Sequence, residues 1–182
     1  LNSLDTSTTG TINASTVTAL TGTASAVATG YASSGISGLG NEAVTLSGTT
    51  ATASDMNVIN AGTTGIVSMT TILTVTGSMA DLTTMYGATG FHNRGNEAIT
   101  LTDTSVTASA LSSLDTKTTG TIDASTVTTL TGTAAAVATS FASAGITGLG
   151  SSAVTLSDTT LAATSLNSLD TSTTGTINAS TV

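Results

Sequence analysis

Apolar and polar residues alternate along short stretches of this chain, and this pattern predicts β-strands. Over residues 120–124, Ile122 and Ala124 fall on one side and polar residues or glycine on the other, as in a half-buried strand. A run rich in β-branched residues over 126–131 predicts a second short strand. Residues 154–156 alternate in the same way and predict a third.

Between these stretches the apolar residues follow the spacing of short helices. One stripe at i, i+3, i+4 and i+7 is formed by Ala134, Val137, Ala138 and Phe141. It predicts a helix over residues 134–144, with Thr133 as the N-cap and Gly145 as a left-handed C-cap. A second helix is predicted from the apolar face formed by Ala163, Leu166 and Leu169, and residues 158–160 resemble its cap.

The whole pattern repeats with a fixed period along the chain. The motif Thr-Thr-Gly-Thr-Ile-Asn-Ala-Ser starts at residue 8 and returns at 118 (with Asp123 for Asn) and 173, and a diverged version starts at 63, so successive starts differ by 55. The chain divides without gaps into repeat 1 (residues 1–55), repeat 2 (56–110), repeat 3 (111–165) and the start of a fourth (166–182). A fixed period of this size indicates a stacked repeat architecture.

Repeat 2 is the divergent copy. Repeats 1 and 3 are identical at 39 of 55 positions, whereas repeats 1 and 2 share 20 of 55. Residues 166–182 are identical to residues 1–17, which favours a segment of a longer array. We therefore expect one continuous stack of repeats in place of separate domains.

Each 55-residue repeat is itself double, because similar segments recur at alternating offsets of 26 and 29 along the sequence. We expect a repeat solenoid of α/β type, a β-solenoid-like stack of parallel strands with short flanking α-helices and two half-coils per repeat. Stacking at the repeat period would align threonines in ladders. The ladders expected are Thr8, Thr63, Thr118 and Thr173, and Thr21, Thr76 and Thr131.

Composition and charge narrow the range of functions. The chain has ten acidic and two basic residues, a net charge of −8, which disfavours binding to nucleic acid or to an anionic membrane surface. It contains no cysteine, so disulfides, thiol catalysis and thiolate metal sites are excluded. No apolar run approaches the roughly 20 residues that span a bilayer, so no membrane insertion of this segment is expected.

Repeat 2 carries one loop of distinct chemistry. His92, Asn93 and Arg94 stand where repeats 1 and 3 have small residues, glycine and leucine, and they are candidates for contact with a partner or an anionic group. The alternative, which we favour, is a solvated loop in a diverged repeat, because one histidine and one arginine without clustered carboxylates form no known type of catalytic site.

Acidic residues recur at two positions of the repeat. One position holds Asp5, Asp115 and Asp170, with Asn60 in repeat 2; the other holds Asp103 and Asp158, with Gly48 in repeat 1. Interrupted columns of this kind favour structural roles at helix caps and loop ends. The alternative is calcium bound between coils by these carboxylates and backbone carbonyls. The glycine-rich nonapeptide of calcium-binding β-rolls is absent, and no other cofactor is expected.

The amino-acid sequence of the repeat resembles that of a known type of protein. Residues 126–139 (Thr-Val-Thr-Thr-Leu-Thr-Gly-Thr-Ala-Ala-Ala-Val-Ala-Thr), followed by Ala-Gly-Ile-Thr-Gly-Leu-Gly and Ala-Val-Thr-Leu-Ser-Asp-Thr-Thr-Leu, resemble the Thr/Ala-rich arrays of giant repetitive proteins of cyanobacterial cell surfaces. The resemblance extends over all 182 residues but concerns repeat style and no catalytic motif. It implies an extracellular or cell-surface, non-enzymatic, structural or adhesive protein.

These observations predict a mechanical function, as a segment of a surface filament, stalk or giant adhesin. The expected partners are neighbouring repeats or identical subunits end to end, and cell-surface glycans stay open as a further class. A second hypothesis is binding of ice or another ligand by flat threonine ladders, which needs outward Thr-x-Thr in every coil. A third, an enzyme acting on surface polysaccharide, needs a groove with clustered carboxylates, which the sparse Asp residues disfavour.

Overall fold

The computed structural model describes all 182 residues and shows an α/β fold, in which short parallel strands in open sheets alternate with short helices. The helices are α1 (Asn2–Thr6), α2 (Ala24–Ala32), α3 (Ala53–Gly62), α4 (Met79–Gly87), α5 (Ala108–Asp115), α6 (Ala134–Ala142) and α7 (Ala163–Asp170). The strands are β1 (Ile12–Asn13), β2 (Ala19–Gly22), β3 (Ile36–Ser37), β4 (Ala43–Leu46), β5 (Thr50–Thr52), β6 (Val67–Ser68), β7 (Thr74–Gly77), β8 (Phe91–His92), β9 (Ala98–Leu101), β10 (Ser105–Thr107), β11 (Ile122–Asp123), β12 (Thr129–Gly132), β13 (Ile146–Thr147), β14 (Ala153–Leu156) and β15 (Ile177–Asn178).

Threonine side chains start most of the longer helices. The N-cap hydroxyl accepts a hydrogen bond from the amide three residues later at Thr23, Thr52, Thr107 and Thr133. This satisfies one of the orphan amides of the first turn. The predictions of Thr133 as an N-cap and of helices in both regions of repeat 3 are therefore confirmed.

The prediction of Gly145 as a left-handed C-cap is wrong. Helix α6 ends at Ala142, and Ser143 is already extended, with φ −70° and ψ 126°. The chain passes through a turn at residues 144–145 into β13, and Gly145 is not left-handed. Gly145 has a different reason to be glycine, because a Cβ there would collide with the carboxylate of Asp115.

The chain forms two compact units. The first comprises Leu1–Thr76 and Asp81–Arg94. Its largest sheet has the order β2-β4-β6-β8, and shorter pairings join β1 with β3 and β5 with β7. The central register aligns Leu20 with Val44, Val44 with Val67 and Val67 with Phe91, so the numbers of paired residues differ by 23 or 24.

The second unit, Gly77–Ala80 with Gly95–Val182, repeats this arrangement. One sheet has the order β10-β12-β14-β15, and the strands β9, β11 and β13 are neighbours in another. Val106 aligns with Leu130, Leu130 with Val154 and Val154 with Ile177, again with an offset of 23 or 24. In both units, the apolar residue of each strand therefore lies directly over the apolar residue of the next.

Burial follows this register. Ile122 and Ala124 are fully buried, as their alternation predicted, and so are Leu130 and Val154 in the adjacent ladder. Helices cover the strands, α2 packing on α3 in the first unit and α5 on α6 in the second. Burying Ile122, Leu130 and Val154 contributes about 1.5–3 kcal/mol each, and no single strand–helix segment can achieve this burial without its neighbours.

The observed register differs from the offsets of 26 and 29 found in the sequence. Those offsets describe the helices, whose first residues are 24, 53, 79, 108, 134 and 163. Paired strand residues are offset by 23 or 24, so Thr129 lies beside Ala153 and not beside Thr155. Backbone hydrogen bonds and inward-facing residues set the pairing, and segments of similar sequence need not be the ones that pair.

The predicted threonine ladders at the 55-residue period are therefore wrong. Thr63 is the C-cap residue of α3, and its hydroxyl donates to the backbone oxygen of Glu42 at 2.8 Å. The ladders that form join different positions of the repeat: Thr131 lies between Thr107 and Thr155 on adjacent strands.

Candidate functional site

The most unusual group in the molecule is a buried carboxylate in the loop before β4. Glu42 is 0% exposed. Its Oε2 accepts hydrogen bonds from the backbone amides of Gly40 at 2.8 Å and Asn41 at 3.2 Å, and its Oε1 accepts one from the hydroxyl of Tyr31 on α2. We refer to Tyr31 and Glu42 as the Tyr–Glu pair.

The surroundings of the Tyr–Glu pair fix its protonation. Burial by itself raises the pKa of Glu42, but the hydrogen bonds from Tyr31, Gly40 and Asn41 outweigh burial and lower the pKa below its ordinary value. Burial, together with the neighbouring carboxylate, raises the pKa of Tyr31 well above its usual range. The pair therefore holds a charged carboxylate against a neutral phenol at neutral pH.

We expect the stability of the fold to depend on pH through the Tyr–Glu pair. The lowered pKa of Glu42 means that its contribution is complete above its ordinary value of 4.5 and is lost as the pH falls through the folded-state pKa. The raised pKa of Tyr31 has the opposite sign: its contribution is complete below its ordinary value of 10.0 and declines as the pH rises above it. Urea unfolding of the wild type at a series of pH values measures both limbs.

The matched control for this pH dependence is a double variant, Tyr31→Phe with Glu42→Ser. It removes both titrating groups, so its unfolding free energy should fall less steeply on both the acid and the alkaline side. Equal slopes for the wild type and the variant would contradict the assignment.

The other repeats vary the same two positions together. Repeat 2 has Tyr86 and Glu97, and repeat 3 has Phe141 and Ser152. Glu97 is also 0% exposed, and its Oε2 accepts from the amide of Gly95 at 2.8 Å. Ser152 is buried and its hydroxyl donates to the backbone oxygen of Val127 at 2.7 Å. These buried groups were not identified from the sequence, although the joint change of Tyr with Glu was visible in it.

The carboxylates at one of the two recurring acidic positions, Asp103 and Asp158, cap helices. The carboxylate of Asp158 accepts from the amide of Ala134, the first residue of α6, at 2.7 Å, and Asp103 does the same for Met79 of α4 at 2.6 Å. A negative charge at a helix N-terminus is favourable. The prediction that residues 158–160 cap the following helix is wrong, because Asp158 caps α6, the helix before it in the chain. Gly48, the equivalent in repeat 1, has φ +86°.

Replacing Asp158 with alanine is expected to lower the free energy of unfolding by about 1 kcal/mol, because the first amide of α6 loses its acceptor. Asp170 is the matched control: it is exposed at the end of α7, and its replacement with alanine should change stability by less than about 0.5 kcal/mol. Thermal or urea unfolding of both variants makes the comparison. Equal losses for the two would show that the cap contributes nothing specific.

At the other recurring acidic position, Asp5 and Asp115 bind serine hydroxyls in turns. The carboxylates of Asp5 and Asp115 accept from the hydroxyls of Ser33 and Ser143, each at 2.7 Å. The structure places no three His, Cys, Asp or Glu side chains together in a metal-binding arrangement. The five calcium candidates, Asp5, Asp103, Asp115, Asp158 and Asp170, are therefore not brought together, and four of them accept hydrogen bonds from helix amides or serine hydroxyls.

Arg94 occupies the C-terminal end of helix α4. Its guanidinium donates to the backbone oxygen of Met85 at 2.7 Å and lies 5.9 Å from the centre of the Phe91 ring. A cation at a helix C-terminus compensates the partial negative charge of the last carbonyls. This contact accounts for the arginine without an external anion.

The two residues before Arg94 are surface groups. His92 is exposed on β8, and its backbone oxygen accepts from the amide of Met69 at 3.0 Å. Asn93 has φ +59°, a left-handed conformation that asparagine tolerates, and its side chain donates to the hydroxyl of Thr70 at 3.1 Å. The candidates His92, Asn93 and Arg94 are thus neighbours in sequence that point to three different contacts.

Hydroxyl-bearing side chains line the outer face of the strands. The adjacent residues are Thr107, Thr131 and Thr155 in the second unit and Thr21, Thr45 and Ser68 in the first. In the second unit they border a shallow groove of about 400 Å³ beside the start of α6. The structure therefore places these hydroxyl groups in polar surfaces along the strands.

Comparison with protein-family models, with curated proteins and with solved structures gave no match to this chain. In the structure, no helix is both long and apolar enough to cross a membrane.

Proposed function

We propose that this chain is a non-enzymatic structural segment of an extracellular filament, stalk or giant surface protein, built as an α/β solenoid. The observation that carries the proposal is the strand register. Ten parallel pairings within the two units all have an offset of 23 or 24, and the pairing continues into the fourth repeat at β15. Each sheet has at most five strands, but the same pairings recur 55 residues later, as in β2 with β4 and β12 with β14, so further repeats can add further sets of the same pairings.

The placement of the charged residues supports a passive role. The carboxylates that a hydrolase would need in one groove are instead dispersed among helix caps, turns and buried loops. The outer strand faces carry small hydroxyl groups, which are suited to a hydrated surface. The resemblance to cell-surface arrays supports the extracellular location of the proposal.

Electron microscopy of the native material, or of a longer array of the same repeat, tests this function. If strands stack at about 4.8 Å and each 55-residue repeat contributes two half-coils, one repeat advances about 10 Å. We expect a thin rod with that axial periodicity. Separate compact particles without an axial repeat would refute the structural role.

A second candidate, ice binding, is favoured by one observation, the ladder Thr107–Thr131–Thr155 on three adjacent strands. Against it, outward Thr-x-Thr occurs at β5, β7 and β12, whereas β2, β4 and β14 have alanine as the first of the two residues. Thermal hysteresis of the purified chain decides between them: the solenoid proposal expects none, and a hysteresis abolished by Thr131→Leu would establish ice binding.

A further inference from the structure

We propose that Glu42 makes the joint between repeats 1 and 2 acid-sensitive, so that the joint opens locally in acid while the rest of the fold stays closed. The joint is the contact between residues 40–42, which we call the Glu42 loop, and residues 63–65, the Thr-Thr-Gly of repeat 2, which we call the motif turn. Because these contacts lie inside a single chain, the joint has this property whether or not the native material forms a rod.

The motif turn docks on the Glu42 loop through backbone oxygens. The amide and the hydroxyl of Thr64 both donate to the backbone oxygen of Gly40, at 2.9 Å and 3.2 Å. The hydroxyl of Thr63 donates to the backbone oxygen of Glu42 at 2.8 Å. A Cβ on Gly65 would collide with that same oxygen, so the two backbone segments pack directly on each other. The joint therefore depends on where the Glu42 loop holds its carbonyl groups.

One peptide group connects the Glu42 carboxylate to the motif turn. Its carbonyl belongs to Gly40 and accepts from Thr64, and its amide belongs to Asn41 and donates to Oε2 of Glu42 at 3.2 Å. The preceding amide, of Gly40, donates to the same Oε2 at 2.8 Å. Because a peptide group is planar and rigid, release of the Asn41 amide also turns the Gly40 carbonyl. The carboxylate thus positions the acceptor that holds the motif turn.

Glu42 is the group at the joint whose charge changes in acid. The groups that face its carboxylate are the two amides of the Glu42 loop and the phenol of Tyr31 on α2, and the Thr63 hydroxyl lies beside that phenol. Burial raises the pKa of Tyr31, so the phenol stays neutral. Burial also raises the pKa of Glu42, but the hydrogen bonds outweigh burial and lower this pKa below its ordinary value of 4.5. The contribution of the carboxylate is therefore complete above pH 4.5 and is lost as the pH falls through the folded-state pKa.

Protonation of Glu42 removes the force that holds the loop. Hydrogen bonds to a charged acceptor are roughly twice as strong as those to a neutral one. The added proton also faces the amides of Gly40 and Asn41, which are donors themselves. The oxygen of Tyr31 can accept this proton, but only by turning its own hydrogen away from the carboxyl group. Since Glu42 is 0% exposed, water cannot compensate for these losses while the joint is closed.

Repeat 3 contains the same joint without a carboxylate. The hydroxyl of Thr173 donates to the backbone oxygen of Ser152 at 2.7 Å, and the amide of Thr174 donates to that of Gly150 at 2.9 Å. The side chain that holds this loop is the Ser152 hydroxyl, which donates to the backbone oxygen of Val127 at 2.7 Å. No group in these contacts titrates in acid, so this joint should stay closed at a pH that opens the joint at Glu42.

Amide hydrogen exchange of the wild-type chain, measured by NMR and corrected for the intrinsic rate at each pH, tests the proposal. The measurement runs from neutral pH down through the acidic range in which the circular dichroism spectrum stays native. Below pH 4.5 we expect the protection of the Thr64 amide to fall by about tenfold or more, because its acceptor moves away. The protection of the Thr174 amide should change by less than about twofold over the same range.

A variant separates the charge of Glu42 from its shape. Glu42→Gln is similar in size and neutral at every pH. Its Thr64 amide should be about tenfold less protected than that of the wild type already at neutral pH, with no further decrease in acid. Asp170→Asn is the matched control, because it neutralises an exposed carboxylate at the end of α7. In this control, Thr64 should respond to acid as in the wild type.

Three results would each overturn the proposal: a Thr64 amide that keeps its protection in acid, a parallel loss at Thr64 and Thr174, and a Glu42→Gln variant that responds to acid like the wild type. The first two come from the wild-type chain and do not require any variant to fold. None of the three changes what electron microscopy of the native material shows, so the proposed structural role is tested separately.

Discussion

Replacing Gly120 with alanine is expected to lower the free energy of unfolding by about 2–3 kcal/mol. Gly120 is the glycine of the Thr-Thr-Gly motif in repeat 3, and it lies against the backbone of the loop before β9. A Cβ at this position would be 2.7 Å from the backbone nitrogen of Ala98 and closer still to the carbonyl of Glu97. Because the obstacle is backbone, the strands themselves must shift. A loss of this size is a large part of the roughly 5–15 kcal/mol that typically stabilises a domain.

The chain contains its own control for this prediction. Gly10 occupies the same place in the motif of repeat 1, but a Cβ there would only touch the Thr8 hydroxyl at 3.5 Å. Gly10→Ala should therefore be neutral within about 0.5 kcal/mol. Urea unfolding monitored by circular dichroism compares the two variants. If both lose the same stability, the effect comes from backbone flexibility and not from the close approach.

Breaking the Tyr–Glu pair from one side is expected to cost about 3 kcal/mol. Glu42→Ser removes the acceptor of the Tyr31 hydroxyl and of the Gly40 and Asn41 amides, of which Tyr31 and Gly40 belong to partly buried residues. A donor left unsatisfied away from water costs about 1–3 kcal/mol. Tyr31→Phe removes one donor from a carboxylate that retains its amide contacts. Its cost should be smaller, about 1 kcal/mol.

Repeat 3 indicates that changing both partners together is less harmful, since Phe141 and Ser152 are the residues that it carries at these positions. The double variant Tyr31→Phe with Glu42→Ser should be more stable than the sum of the single losses predicts, by at least about 0.5 kcal/mol. A double-mutant cycle on unfolding free energies measures this coupling. Strict additivity would mean that the two side chains act independently.

The sequence predicted the local elements well, because they depend on local causes. Thr133 caps its helix and Ile122 and Ala124 face inward, as the 3.6- and 2-residue periodicities require. Because glycine commonly follows helices, the sequence predicts the end of α6 at Gly145, but the carboxylate of Asp115, at the end of the preceding helix α5, accounts for that glycine. A contact between two helices or strands that are separate in the chain cannot be predicted from the local pattern of apolar and polar residues.

Neither the strand register nor the buried polar groups could be predicted from the sequence, because both depend on contacts between residues that are distant along the chain. The 55-residue period can be read from the sequence. The 24-residue offset between paired residues, such as Leu130 and Val154, depends on how the chain folds in three dimensions. Glu42 follows Gly40 and Asn41, a composition typical of exposed loops, so the local sequence predicts an exposed side chain at this position. Its only signal was the joint occurrence of glutamate with tyrosine in repeats 1 and 2 and of serine with phenylalanine in repeat 3.

The mismatch between a 24-residue pairing step and a 55-residue sequence unit limits how such a gene can change in length. A recombination that adds or removes 55 codons returns every strand to a neighbour of the type it had before. Removal of 26 or 29 codons would join similar sequences, yet it would bring strands such as β12 against the wrong partners. Whole units are therefore the steps by which an array of this kind can lengthen or shorten and still fold.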